Sequence, residues 1–259
     1  MKIEKKVLDM SLAGIFTAVI IAMSVVPFLG YIPLGFMNAT IIHVPVIIGA
    51  LVSLALGLAA QLLPASLCGV IGCLVWVAVT GGLHLDGVAD CGDGLIVEAP
   101  PARRLEIMKD SRLGTFGGAA LFFILALKAA ALGALAGTFQ ADGSGPDAFA
   151  PLLLSCCLAG TLARCMVFAA MRVPSARPGG LGEALHEGVT SRHELIALAI
   201  GLGICAVNGV RGLYALAIAL LAAYLLLSTA KKRLGGVTGD VFGCLVELTE
   251  CAVLIVCCV

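Results

Sequence analysis

Long apolar runs separated by short polar stretches fill this chain from one end to the other. Charge-poor runs fall near 10–29, 41–63, 66–83, 114–136, 150–170, 195–209, 212–229 and 242–259. Several match the roughly 20 residues an α-helix needs to cross a hydrocarbon layer ~30 Å thick. The pattern predicts an all-α fold: a polytopic helical membrane protein with seven or eight membrane segments. Pro64 separates the second run from the third, and Gly143-Ser144-Gly145-Pro146 marks a turn between the fourth and fifth. No stretch reads as a soluble domain or an internal repeat.

Composition agrees with the pattern. The chain is 61% hydrophobic and 12% charged, with a mean hydropathy of +1.11, whereas a soluble domain carries about 25% charged residues. Sixteen Lys plus Arg balance sixteen Asp plus Glu, so no net field points toward nucleic acid. The eleven cysteines contain no CxxC pair and mostly lie inside apolar runs, where they read as small buried hydrophobes. The first run follows Lys2, Lys5 and Lys6 but is too long for the apolar region of a signal peptide, which predicts a retained membrane segment.

Charge placement gives an orientation. Lys and Arg collect in residues 84–113, 171–194 and 230–241, while residues 137–149 hold Asp142 and Asp147 and no base. The positive-inside rule then puts these alternate loops in the cytoplasm. Three full crossings before residue 84 would place Lys2, Lys5 and Lys6 outside, so one early segment is expected to be re-entrant or interfacial.

The chemistry concentrates in Gly81-Gly82-Leu83-His84-Leu85-Asp86-Gly87-Val88-Ala89-Asp90-Cys91-Gly92-Asp93-Gly94. On a helix, Asp86, Asp90 and Asp93 share one face within two turns, and His84 lies off it. Their mutual repulsion is relieved by protons, by cationic side chains or by a shared divalent cation. Oxygen ligands suit Mg²⁺, which commonly also bonds a substrate phosphate. Interleaved glycines fit a partly broken segment that another helix or a ligand approaches closely.

Two further clusters carry candidate phosphate ligands. Arg103, Arg104, Lys109 and Arg112 lie shortly after the acidic stretch. They serve either as charge-assisted phosphate ligands or as ordinary cytoplasmic-loop bases, and Lys109 and Arg112 favour the first role. Gly235-Gly236-Val237-Thr238-Gly239-Asp240 forms a tight loop whose amides and Thr238 hydroxyl can hold an anion, with Asp240 free for a metal or a donor. Glu247 and Glu250, three apart on the last segment, are expected to face the protein interior. Arg164, inside the fifth segment, answers one of these acids or a phosphate, and Arg177 with Gly179-Gly180-Leu181-Gly182 completes a polar loop. Carboxylates, a divalent metal and bases together suggest phosphoryl transfer.

Three motifs resemble one family: the acidic stretch at 81–94, the Leu105–Gly118 run Leu-Glu-Ile-Met-Lys-Asp-Ser-Arg-Leu-Gly-Thr-Phe-Gly-Gly, and Gly235–Asp240. In this order they are similar to cobalamin synthase, the adenosylcobinamide-GDP ribazoletransferase family, over about residues 46–259. The resemblance implies a Mg²⁺-dependent multi-pass enzyme of the cell inner membrane with its active site facing the cytoplasm. Such an enzyme joins adenosylcobinamide-GDP to alpha-ribazole, or its 5′-phosphate, and releases GMP; a homo-oligomer is compatible with it. Asp86, Asp90 and Asp93 would hold metal. Arg103, Lys109, Arg112, Arg164, Arg177 and Thr238 would contact substrate phosphates, and His84, Asp86 and Asp240 are the catalytic candidates. Residues 1–45 depart from this pattern. From Phe28 to Pro45 the chain instead resembles the start of an energy-coupling-factor transporter S component, so a transporter or vitamin-binding component is the alternative. A CDP-alcohol phosphotransferase is a third, although its Asp-Gly-x-x-Ala-Arg opening is missing here.

Overall fold

A computed structural model describes the backbone at residues 31–34, 37–40, 43–177 and 191–259, with side chains from residue 45 onward except at 191 and 193. The expected first segment at 10–29 and the Gly179–Gly182 stretch lie outside the described residues.

Two short strands, β1 (Tyr31–Leu34) and β2 (Met37–Thr40), pair antiparallel with Tyr31 opposite Thr40. Pro33 resists helix, and Tyr31, Ile32 and Thr40 suit an extended chain. With a parallel bridge between Ser175 and Val237, this hairpin is the departure from the all-α expectation among the described residues. Helices form the rest: α1 (His43–Ala59), α2 (Ala65–Thr80), α3 (Leu83–Ile96), α4 (Pro101–Ile107), α5 (Thr115–Ala141), α6 (Pro146–Ala170), α7 (Ser191–Val207), α8 (Gly209–Leu234) and α9 (Gly239–Cys257).

Pro64 sits at the N-cap of α2. Positive φ at Gly143 and Ser144 makes the turn between α5 and α6. Among the described residues three helices, α5, α6 and α8, are long and apolar enough to cross a membrane, or four spans if the α2–α3 pair counts as one. Seven or eight were expected from the apolar runs. Helix length explains much of the difference: the apolar part of α1, Pro45–Ala59, rises only about 22 Å at 1.5 Å per residue. The outer faces present Leu58, Leu74, Phe122, Leu213 and Tyr224 to the surroundings, a surface suited to lipid. All eleven cysteines are free thiols, most of them buried.

Helix α9 organises the interior, packing against α3, α5, α6 and α8, while α2 lies along α5 and α1 along α6. The carboxylate-bearing helix is aimed by a break in the chain. Gly81 and Gly82 both take left-handed conformations, with φ of 65° and 66°, and α3 turns away from α2 by 99°. Only glycine adopts two consecutive left-handed residues without strain. The sequence expectation of a partly broken segment here is met.

Gly87 sets how closely α3 approaches α9, because a Cβ there would overlap the Asp240 carbonyl oxygen and press on the Cys244 amide. Backbone atoms cannot yield as a flexible side chain can. Gly87→Ala should therefore cost about 1–3 kcal/mol through overpacking, read as a lowered Tm of the detergent-solubilised protein. An unchanged Tm would show that the two helices have slack.

Candidate active site

Asp86, Asp90 and Asp93 all lie on helical α3, so the one-face arrangement exists. Their environments differ. Asp93 receives the Gly114 amide on Oδ2 at 2.7 Å and the Gly117 amide on Oδ1 at 2.8 Å. It thus satisfies orphan donors at the N-terminus of α5, where the helix dipole also favours a negative charge. Asp86 is exposed and Asp90 half-buried, and neither accepts a hydrogen bond from another described residue.

Asp240 joins this group from the first turn of α9. Thr238 is the N-cap: its hydroxyl accepts from the Val241 amide at 3.4 Å and donates to Asp240 Oδ2 at 3.1 Å. Arg177 Nη1 donates to the same Oδ2 at 3.2 Å, and its Nη2 donates to the Leu105 carbonyl at 3.0 Å. Backbone bonds of 2.8 Å from Ala176 to Val237 and from Val237 to Pro174 lace the two loops together. Tertiary folding thereby unites the acidic stretch, the Gly-Gly-Val-Thr-Gly-Asp loop and Arg177. Asp90 lies in the field of Asp240, Asp86 and Asp93, which oppose its charge, while Arg177 favours it. The Arg177 Nε is buried and has no hydrogen-bond partner among the described residues.

The remaining bases divide by role. Arg103 pairs with Glu106 at 2.8 Å on the exposed face of α4, which is a local surface bridge. Arg104 is buried and donates to the carbonyls of Gly94 and Leu95, both at 2.9 Å, and of Ala99 at 2.7 Å. Arg233 adds a bond to the Leu95 carbonyl. Two arginines therefore satisfy the C-terminal carbonyls of α3, where a cation also complements the dipole. Lys109 is exposed. Arg112 closes a tight turn on Asp110, donating to it from Nη2 at 2.6 Å. Hydrogen bonds from the Arg112 side chain and amide hold the Asp110 carboxyl down to about 2.

A second polar group lies deep between the helices. Lys128, midway along α5, donates to Glu247 at 2.5 Å and to Glu250 at 2.7 Å, and Arg164 donates to Glu250. Lys128 also stands 5.1 Å over the Trp76 ring. His84 Nδ1 lies 3.8 Å from Glu247 Oε1. Glu247 and Glu250 thus face the interior as expected, and Arg164 answers an acid. Lys128 was not singled out in the sequence, although it is the one charged residue between Thr115 and Ala141; its isolation in an apolar run was the available signal. Ionisable groups consequently occupy mid-helix depth as well as the expected cytoplasmic ends. Two cations and two carboxylates balance there.

Mg²⁺ usually takes one or two carboxylates together with substrate phosphates. Among the described residues no group of three or more His, Cys, Asp or Glu is arranged to hold a metal by itself. Asp86 and Asp90, one helical turn apart and accepting no hydrogen bond from the described residues, fit the one-or-two-carboxylate mode. Asp93 accepts one amide on each oxygen, which leaves a further lone pair on each. Cavities of about 530 Å³ between α6, α7 and α8, and about 610 Å³ between α8 and α9, are lined mainly by apolar residues and do not include these carboxylates.

Comparison with known proteins gives the family. The family model described as cobalamin-5-phosphate synthase matches residues 15–258. A Pseudomonas paraeruginosa protein named adenosylcobinamide-GDP ribazoletransferase is 42% identical over 182 residues, 70% of each chain. Proteins of the same name from Stutzerimonas stutzeri and Escherichia coli are 41% identical over 70% of each chain and 35% identical over 74%. No solved structure matches the chain. The matched span takes in the acidic α3, its bend at Gly81-Gly82, the Asp240 loop and the buried charges on α9, and the chain belongs to the cobalamin-5-phosphate synthase family.

Proposed function

We propose that this chain joins adenosylcobinamide-GDP to alpha-ribazole, or to its 5′-phosphate, and releases GMP. The shared name of relatives covering more than two-thirds of its length supports the transfer. One observation carries the site: Asp90 accepts nothing from the described residues yet lies in the field of Asp240 and Arg177, with Asp86, also without a hydrogen bond from the described residues, one helical turn away. A ribose hydroxyl oxygen bonds to the corrinoid-side phosphorus, the P–O bond to GMP breaks, and the hydroxyl proton passes to a base. Arg177, whose Nε has no partner among the described residues, neutralises charge on the pyrophosphate, and Thr238 keeps Asp240 in position. Lys109 and Arg112 meet the phosphates of the entering nucleotide from the loop before α5. His84 and Asp240 flank the α3–α9 contact, and either can take the proton. Asp86 and Asp90 would hold Mg²⁺, which when bound supplies charge neutralisation at the pyrophosphate and the leaving group.

We also assign the chain to the cell inner membrane, with the shorter apolar helices contributing to seven or eight segments and the active site facing the cytoplasm. The clustering of Arg104, Arg177 and Arg233 against α3 and α4 supports one basic side. Purified protein given both substrates should release GMP with Mg²⁺ present, stop with EDTA, and resume when Mg²⁺ returns. Folded protein that releases no GMP would remove the transfer, and turnover indifferent to EDTA would remove the metal.

A further inference from the structure

The deepest charges in the molecule have no part in the chemistry above. Lys128, Glu247 and Glu250 are almost wholly buried, and Arg164 is 13% exposed. They come from α5, α9 and α6, so the quartet ties three helices at one depth. Removing four charges from water is costly, and a closed ion network repays that only with good geometry. A hydrophobic set would give comparable stability without that cost, so the arrangement invites a role beyond holding the bundle together.

His84 lies in the field of Arg164, Glu250 and Lys128, and Glu247 brings the quartet nearest to it. Glu247 directs Oε2 to Lys128 at 2.5 Å, while Oε1 faces His84 Nδ1 at 3.8 Å. That imidazole nitrogen is buried and makes no hydrogen bond to the described residues; Glu247 is the acid within 4 Å of it, and Glu250 also acts on the ring. His84 is in the first turn of α3, two residues before Asp86 and after the Gly81-Gly82 bend. The backbone of His84 also rests on Gly243 of α9, 3.3 Å from where a Cβ would stand. The start of α3 thus rests on α9 at the backbone through Gly243, and its His84 side chain lies against the Glu247 carboxylate without a hydrogen bond between them.

We propose that Glu247 is a positioning residue for the transfer: held by Lys128, it fixes the first turn of α3 through His84 and so sets where Asp86 and Asp90 stand relative to Asp240. This rests on the reaction assigned above. It differs from a merely structural role, in which the quartet matters only because its charges cancel.

Two variants separate these roles. Glu247→Gln removes the carboxylate and leaves an excess buried cation. Lys128→Gln/Glu247→Gln restores neutrality, with Arg164 still paired to Glu250, but does not restore a carboxylate beside His84. Positioning predicts that kcat falls about tenfold to a hundredfold in both variants, as small misplacements near reacting groups do, while KM for each organic substrate changes less than about threefold. Hydrogen exchange of residues 83–96, read by mass spectrometry, should rise in both variants, and that of α6 should stay as in the wild type. Recovery of kcat in the neutral double variant would overturn the proposal, because charge balance would then be sufficient. Unchanged exchange over 83–96 in the folded double variant would overturn it as well. The exchange measurement needs no substrate or metal, so it stands even if wild-type protein fails to release GMP.

Discussion

Asp90→Asn leaves the protein folded and membrane-inserted but lowers turnover at least about a hundredfold, the scale on which losing one charge-stabilising group in a reacting site is felt. Asn keeps the shape and one oxygen while removing the charge. Asp90 accepts no hydrogen bond from the described residues, so its loss breaks no internal contact there. It also relieves repulsion from Asp240, Asp86 and Asp93. Stability should therefore hold or rise slightly while activity falls, an opposition that a structural carboxylate would not produce. The measurements are GMP release, its dependence on Mg²⁺ concentration, and Tm. Normal turnover in the folded variant would defeat the assignment of Asp90 to the metal.

The second large effect is on stability. Lys128→Met, which retains an apolar chain of similar length, leaves Glu247 and Glu250 to share Arg164 alone. Stranding a buried charge by deleting its partner costs about 3–5 kcal/mol, which should appear as poor recovery from the membrane and a steep drop in Tm. Lys128→Met/Glu247→Leu should regain most of that loss, since the remaining Arg164–Glu250 pair is neutral. A wild-type Tm for Lys128→Met would mean that the acids take up protons without cost.

The apolar helices were legible because apolar runs and breakers are local. Pro64 and Gly143 act on their own backbone, and the described helices follow the predicted runs closely from residue 43 onward. The number of crossings was not legible in the same way, because run length does not say whether α2 and α3 form a broken span. For the site, the shared face of Asp86, Asp90 and Asp93 followed from helical period alone. Their different partners did not. Asp93 meets amides 21 and 24 residues away, and nothing in the acidic motif distinguishes it from Asp90. Arg104 and Arg103 are adjacent in a basic stretch, yet one supports α3 and the other pairs on the surface.

By itself the sequence determined the solvent of this chain, the helical character of its segments, the family and the residue types available for chemistry, since all of these depend on composition, period and short motifs. Tertiary structure decided which charges remain available. Gly87 lets α9 approach α3 and bring Asp240 beside the carboxylates, and the pairing of loops 174–176 and 237 delivers Arg177 to it. The partners of Lys128 lie more than a hundred residues away. Electrostatic partnership depends on distance in space, which no local pattern encodes.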